Sequence, residues 1–104
     1  MRIKLSGGAM RDLERGCDFY RNIDTNLAIY FHDCLASDID SLLLYAGVHA
    51  SVEGWHYTFS KRFPFVIWYG IKDGLVIVYA VLDGRSESSG NDAILRQRRE
   101  DKEG

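Results

Sequence analysis

The sequence predicts an α+β domain with the order β-α-α-β-β-β, in which an antiparallel sheet carries a helical hairpin packed on one face. Three observations predict this class. A short stretch near the start alternates polar and apolar residues with a period of two. Two amphipathic stretches with helical spacing follow, joined by a short link. Two long apolar runs then flank Asp73-Gly74, a dipeptide typical of a tight β-hairpin turn.

The first strand and the first helix follow from a change of period. Residues 2–5 alternate basic and apolar side chains, which favours a short strand, and Ser6 is placed to cap a helix. From Ala9 to Tyr20 the apolar residues recur at spacings of three and four. This spacing predicts an amphipathic helix of about three turns that ends near Arg21-Asn22.

The second helix is predicted from its caps and its apolar stripe. Asp24 or Thr25 can cap its start, and Gly47 can end it in a left-handed conformation. The stripe keeps helical spacing throughout: Leu27, Phe31, Cys34, Leu35, Ile39, Leu42 and Ala46. We expect one continuous helix, antiparallel to the first because the link between them is short.

The strands after the helices are read from alternation and from turn chemistry. Residues 55–60 place aromatic side chains on one side and polar ones on the other. Residues 63–85 then predict a hairpin with a type I′ turn, because Asp73 and Gly74 both tolerate positive φ. We assign one domain to residues 1–86, and a loop followed by a short charged helix or tail to residues 87–104.

Composition narrows the class of protein. The 104 residues suit a single domain, and 46% hydrophobic with 27% charged residues is typical of a folded rather than a disordered chain. The formal net charge of −2 gives no overall attraction to nucleic acid. We expect a cytoplasmic location, because no apolar run reaches the length of a membrane span or of a signal peptide. Cys17 and Cys34 are expected to be reduced, buried and structural.

Two segments carry a resemblance to a known family. The run KRFPFVIWYGIKDGLVIVYAVLDGR over residues 61–85 and LERGCDFY over residues 13–20 resemble the RelE/ParE superfamily of type II toxin–antitoxin toxins. The similarity is greater to the ParE-like plasmid stabilisation branch and covers about residues 1–86. It implies a toxin that is neutralised by a cognate antitoxin protein and that acts on DNA gyrase.

The sequence departs from the pattern of that branch at two places. Gly70 stands where the branch usually has an arginine after the aromatic pair. Ser86-Glu87-Ser88 replaces a second arginine and an Asp-Pro that usually follow Arg85. Reduced or altered toxicity is therefore an alternative, in which the chain is a disarmed family fold that serves as a binding module.

The predicted hairpin is apolar on both faces, whereas two helices cover only one face of a sheet. The other face is covered by the C-terminal tail through Ala93, Ile94 and Leu95, by a second copy of the chain, or by a partner protein. We favour a partner, which agrees with an antitoxin wrapped around the sheet as the resemblance implies. The residues assigned to partner binding are Lys61, Arg62, Val66, Trp68, Val78, Ala80 and Arg85.

RelE-type members of the superfamily are ribosome-dependent mRNA endonucleases, which need clustered cations and an acid–base group. The corresponding strand positions here fall near His56, Thr58 and Val66, and only Arg85 remains basic. Arg85 and His56 are thus the candidate catalytic residues, with surface roles as the alternative. We expect the chain not to be an enzyme, with mRNA cleavage on the ribosome as the alternative function.

No cofactor or metal is expected from the sequence. His32, Asp33 and Cys34 are types that bind metals, but adjacent helix positions do not share a face. No glycine-rich phosphate loop and no Ser-His-Asp set is visible. The arginines of residues 96–99 are followed at once by acidic residues, which favours a solvated tail over nucleic-acid binding.

Overall fold

The computed structural model describes residues 2–47, 51–52, 55–85 and 94–98. Its elements are β1 (Arg2–Leu5), α1 (Gly7–Arg21), α2 (Thr25–Asp40), α3 (Leu42–Tyr45), β2 (Ser51–Val52), β3 (Trp55–Phe59), β4 (Phe65–Lys72) and β5 (Leu75–Asp83). Residues 94–98 form one further helical turn, which we call the C-terminal segment. The predicted loop of residues 87–92 and the end of the tail lie outside the described residues.

The five strands form one sheet in the order β1-β5-β4-β3-β2. β2 to β5 pair antiparallel, but β1 runs parallel to β5, with Leu5 beside Val78. The predicted α+β class is confirmed, and the expectation of a purely antiparallel sheet is corrected for this strand. The two helices between β1 and the rest of the sheet supply the long crossover that parallel pairing requires.

The helix caps are those that the sequence predicts. The Ser6 side chain accepts a hydrogen bond from the Ala9 backbone N–H at the start of α1, and Asp24 accepts one from Asn26 at the start of α2. Gly47 follows α3 with a φ of +90°, as a left-handed residue after a helix.

The second helical stretch is not continuous, contrary to the prediction. α2 ends at Asp40, and the short α3 begins at Leu42. The Ser41 hydroxyl donates to the Asp38 carbonyl at 2.6 Å. An unbroken helix would offer that carbonyl to the Leu42 backbone N–H, so the serine competes with the helical ladder at this point.

The hairpin turn is confirmed. Asp73 and Gly74 have φ values of +53° and +77°, which a type I′ turn requires at both central positions. β4 and β5 pair from Lys72 and Leu75 next to the turn as far as Phe65 and Asp83 at the other end.

The main core lies between the helices and one face of the sheet, which we call the helix side. Phe31 of α2 is fully buried there, and its ring packs against those of Tyr20, Phe63 and Phe65, with each pair of centroids at 5.0 Å. The core residues from β4 and β5 are Phe65, Ile67, Tyr69, Val76, Val78 and Val81.

A β-bulge changes which residues of β5 face the helices. The register shifts between Trp68 and Tyr69, so that Tyr69 pairs with Val78 and Trp68 with Ala80. Val76 and Val78 point to the helix side before the bulge, whereas Val81 does so after it. The opposite surface, which we call the second face, carries Trp55, Tyr57, Phe59, Val66, Trp68, Tyr79, Ala80 and Leu82.

A buried carboxylate joins α2 to the loop between β3 and β4. Asp38 is 5% exposed, and its carboxylate accepts hydrogen bonds from the Ser60 hydroxyl at 2.6 Å and the Lys61 backbone N–H at 3.3 Å. The loop is thereby held against the helix, next to the aromatic core.

Candidate functional site

The outer half of the second face is a group of aromatic rings. The Tyr57 and Trp68 rings lie 5.0 Å apart between centroids, and the Trp55 and Tyr79 rings lie 4.6 Å apart. Phe59 packs edge-on against Tyr57 at 5.9 Å and is 67% exposed. Exposed aromatic surface on a sheet is suited to bury against another protein, because large rings gain most when water is removed from them.

The inner half of the second face is covered by the chain itself. Leu95 of the C-terminal segment is 9% exposed and packs with Ala80 and Leu82, while Ile94 and Trp68 lie beside them. On this half, therefore, the tail covers the sheet. The sequence had left this as an alternative to cover by a partner.

Arg98 fixes the C-terminal segment through three hydrogen bonds. Its guanidinium Nη1 and Nη2 donate to the two carboxylate oxygens of Asp12 at 3.0 and 2.9 Å, and Nη1 also donates to the Tyr79 carbonyl at 2.7 Å. The Asp12 and Arg98 side chains are only 3% and 17% exposed. A bidentate ion pair of this kind fixes both the position and the orientation of the arginine.

The edge of β5 explains why these polar groups are needed. β1 ends beside Val78, so the backbone of β5 beyond that point has no neighbouring strand on this side. The Tyr79 carbonyl instead accepts from the Ser6 hydroxyl at 3.2 Å and from Arg98, and the Val81 N–H donates to Asp12 at 2.9 Å. Side chains thus satisfy backbone groups that a longer first strand would have paired.

The structure separates the residues that the sequence assigned to partner binding. Val66, Trp68 and Ala80 lie on the second face, and Ala80 is fully buried beneath the C-terminal segment. Val78 lies in the core on the helix side instead, because the bulge at Tyr79 changes the alternation after it. Simple counting by two along β5 placed it wrongly.

The three basic residues of that set lie at one end of the sheet. Lys61 and Arg62 are exposed in the loop that precedes β4, and Arg85 is exposed after β5. The register brings these segments together, because Phe65 at the start of β4 pairs with Asp83 at the end of β5.

The two candidate catalytic residues are not brought together. The His56 ring stacks on Tyr69 at 5.2 Å on the helix side. His56 is level with Tyr69 and Val78, whereas Arg85 lies beyond Asp83, so about 15 Å of sheet separates the two levels. A histidine and an arginine this far apart cannot act on one phosphate.

Arg85 is engaged by a neighbouring carboxylate. Its Nε and Nη2 donate to Asp83 at 3.1 and 2.9 Å, and its backbone N–H donates to the same carboxylate at 2.8 Å. The hydrogen bond from the Arg85 side chain holds the pKa of Asp83 below its ordinary value. The same bond raises the pKa of Arg85.

The ring of Tyr79 fills the space beside Gly70. A Cβ placed on Gly70 would lie 3.2 Å from the ring of Tyr79. The position at which the resembling branch has an arginine therefore lies against an aromatic ring here, and a larger side chain would have to displace that ring. Ser86, the other departure, lies outside the described residues.

The described residues contain no group of three or more side chains suited to hold a metal ion. Over the same ranges, no helix has both the length and the apolar character needed to cross a membrane. Cys17 and Cys34 are free thiols and are half-buried rather than fully buried. Burial raises the pKa of the Cys17 thiol, which disfavours its reactive thiolate form.

Sequence reasoning missed Asp12 and Arg98. Asp12 had a signal, because Gly8 and Gly16 lie one turn before and after it and mark a helix face that packs closely. No sequence signal marks Arg98, since it stands in a run of charges typical of a solvated tail. Only the folded chain brings these two side chains together, 86 residues apart in sequence.

No family model and no curated protein matches the sequence. Among solved structures, the chain is similar to one described as "Chromosomal ParDE TA system from P. aeruginosa", with a TM-score of 0.73. The two are 18% identical, and the match covers 80% of this chain and 95% of that chain. The likeness confirms that this protein has a ParE-like α+β fold.

Proposed function

We propose that this chain is the toxin of a type II toxin–antitoxin system of the plasmid stabilisation type, held inactive by a cognate antitoxin and acting on DNA gyrase in the cytoplasm. One observation carries the proposal: the fold is shared with a chain from a ParDE toxin–antitoxin system over 80% of this chain. The antitoxin and gyrase are finer assignments, which rest on the residues described next.

The second face supports the antitoxin as a partner. Its outer half exposes aromatic surface around Phe59 and Tyr57, and Lys61 and Arg62 follow directly in the chain. An apolar strip with cations beside it suits a partner segment that is apolar on one side and acidic on the other.

The distribution of polar residues supports inhibition by binding over cleavage of mRNA. Catalysis of phosphate transfer needs cations and an acid–base group within hydrogen-bond reach of one substrate. His56 and Arg85 lie far apart, and Arg85 is already bonded to Asp83. Inhibition of gyrase by binding needs no such cluster.

The test is a supercoiling assay with purified gyrase and the full chain, with and without the antitoxin encoded beside it. We expect inhibition of supercoiling together with trapped, cleaved DNA, and we expect the antitoxin to reverse both. The matched control is His56→Ala, which should inhibit gyrase as strongly as the unaltered chain because inhibition by binding needs no acid–base group at this position.

Two other outcomes of this assay would contradict the proposal. Unimpaired supercoiling at a large excess of folded protein, together with mRNA cleavage on translating ribosomes that is lost in His56→Ala, would replace this proposal with the endonuclease. Unimpaired supercoiling and unimpaired translation would leave the disarmed binding module, consistent with the aromatic ring that lies against Gly70.

A further inference from the structure

We propose that Gly8, Asp12 and the Tyr79 carbonyl form a slot selective for a guanidinium group, and that this slot and the strip of Trp68, Ala80 and Leu82 together bind a helical segment with a leucine and an arginine three residues apart. In the free chain, Leu95 and Arg98 fill this site. A partner protein that presents the same pattern takes their place. The inference needs neither a toxin nor gyrase, so it goes beyond the proposed function.

The hydrogen bonds make the slot specific for arginine. Two nitrogens of the Arg98 guanidinium meet the two oxygens of Asp12, while one of them also reaches the Tyr79 carbonyl. The acceptors are arranged for a planar fork with several N–H groups. A lysine has one nitrogen on a flexible chain and cannot bond both carboxylate oxygens and the carbonyl in this geometry.

The shape of the slot depends on a missing side chain. A Cβ placed on Gly8 would lie 2.6 Å from Cζ and Nε of Arg98, closer than carbon atoms approach in folded proteins. Gly8 stands one helical turn before Asp12 on α1, so the glycine opens the space and the aspartate supplies the charge.

The apolar strip fits the same segment. Leu95 precedes Arg98 by three residues, which places both side chains on one face of a helical turn. Leu95 lies over Ala80 and Leu82 while Arg98 reaches the edge of β5. The apolar strip and the guanidinium slot are thus as far apart as two side chains separated by one turn of a helix.

Asp12 requires a cation from whatever covers this site. Its side chain is 3% exposed, and without Arg98 the carboxylate would keep the Val81 N–H as a donor but no well-placed cation, which is unfavourable for a buried charge. Arg15 approaches it only to 3.6 Å, and the Arg15 side chain is 71% exposed, so it does not fill the slot. A partner that displaced the C-terminal segment would therefore have to bring its own arginine.

One observation favours such an exchange. The Trp68 indole N–H is buried without an acceptor among the described residues. A partner that supplied an acceptor there would gain a hydrogen bond that the C-terminal segment leaves unmade.

The test uses the full chain with Arg98→Ala, which empties the slot, and a synthetic peptide of residues 93–104. Trp68 fluorescence reports binding in a Trp55→Phe background. We expect saturable binding of the peptide. A peptide with lysine in place of Arg98 should bind about tenfold more weakly or worse, because it loses the bidentate contact. Equal binding of the two peptides would overturn the proposal.

Three controls make the readout specific. The chain with Arg98 intact should bind the peptide about tenfold more weakly than the emptied chain, because its own arginine competes. Arg96→Ala, an exposed arginine of the same segment, should behave like the unaltered chain. Gly8→Ala combined with Arg98→Ala should fold but bind no peptide, because the added methyl group fills the slot.

A second measurement applies where Arg98→Ala does not fold at ordinary temperature. Millimolar methylguanidinium should then raise its unfolding temperature, whereas methylammonium at the same concentration should not. An equal effect of the two ions, or no effect of either, would overturn the proposal as surely as equal binding of the two peptides.

Discussion

Two buried aspartates, Asp12 on α1 and Asp38 on α2, attach these helices to distant segments of the chain. Each lies on the inner side of its helix, is 5% exposed and accepts a hydrogen bond from the backbone of a distant segment. Charged acceptors of this kind are worth more than neutral ones, and their loss leaves buried donors unpaired. They therefore attach the helices to particular points of the sheet.

Asp38→Ala tests the attachment of α2. We expect the free energy of unfolding in urea to fall by about 2 kcal/mol, because the Ser60 hydroxyl and the Lys61 N–H lose their charged acceptor. Asp33→Ala is the matched control on the exposed side of the same helix, and it should change stability by less than about 0.5 kcal/mol. Equal effects of the two substitutions would contradict this role.

The Asp83–Arg85 pair predicts a dependence of stability on pH. Arg85 lowers the pKa of Asp83 in the folded chain, so the pair stabilises the fold above the ordinary pKa of an aspartate, about 3.9. That contribution is lost as the pH falls through the lowered value. The pKa of Arg85 is raised, so the arginine stays charged throughout this range.

Arg85→Ala tests this predicted loss of stability at low pH, in thermal melts between pH 7 and pH 2. The unaltered chain should be slightly more stable than the variant above about pH 4, and the difference should disappear as the solution becomes more acidic. Arg62→Ala, another exposed arginine, should show no such convergence. A difference from Arg85→Ala that stays constant down to pH 2 would show that the ion pair is not its cause.

At the scale of the elements, α1 and α2 pack closely because α1 has a glycine where they cross. A Cβ on Gly16 would lie 2.6 Å from the ring of Phe31, which is fully buried at the centre of the core. The ring cannot move away easily, since Tyr20, Phe63 and Phe65 surround it. The glycine thus lets the aromatic cluster lie under the helical hairpin.

Gly16→Ala should therefore destabilise the fold by about 1–3 kcal/mol, although alanine is the better helix former. Gly7→Ala is the control, because a Cβ there meets only the end of the Arg11 side chain at 3.5 Å. It should be neutral or slightly stabilising in the same urea titration. A stabilising Gly16→Ala would mean that the helices do not approach this closely.

At the scale of the whole molecule, two different parts of the chain cover the sheet, and a third area stays partly exposed. The helices cover one face, the C-terminal segment covers the inner half of the second face, and the aromatic outer half remains partly exposed. The free chain should consequently associate with itself through that outer half, and co-expression with an antitoxin should suppress the association.

Phe59→Lys tests which surface is responsible. The side chain is 67% exposed on β3, so a charge there should reduce self-association in sedimentation experiments without lowering the unfolding temperature. Leu44→Lys, at a side chain that is 78% exposed on α3, is the control and should leave association unchanged. A chain that is monomeric before either substitution and binds no hydrophobic dye would contradict the prediction.

The sequence by itself determined the features that depend on neighbours a few residues away. The period of two in β3, the caps at Ser6 and Asp24, and the turn at Asp73-Gly74 all follow from local sterics and hydrogen bonding. The α+β order follows from these elements in succession, as does the conclusion that two helices leave one face of the sheet to be covered.

Only the tertiary structure decided which distant groups meet. The bulge moved Val78 to the helix side, the sheet register separated the levels of His56 and Arg85 by about 15 Å, and the fold paired Asp12 with Arg98 across 86 residues. No local pattern encodes such contacts. The Asp12–Arg98 pair, for example, forms where β1 stops and side chains bond the backbone groups at the open edge of β5. The arginines of residues 96–99 have the sequence pattern of a solvated tail, but in the fold Arg98 binds the buried carboxylate of Asp12 at this edge.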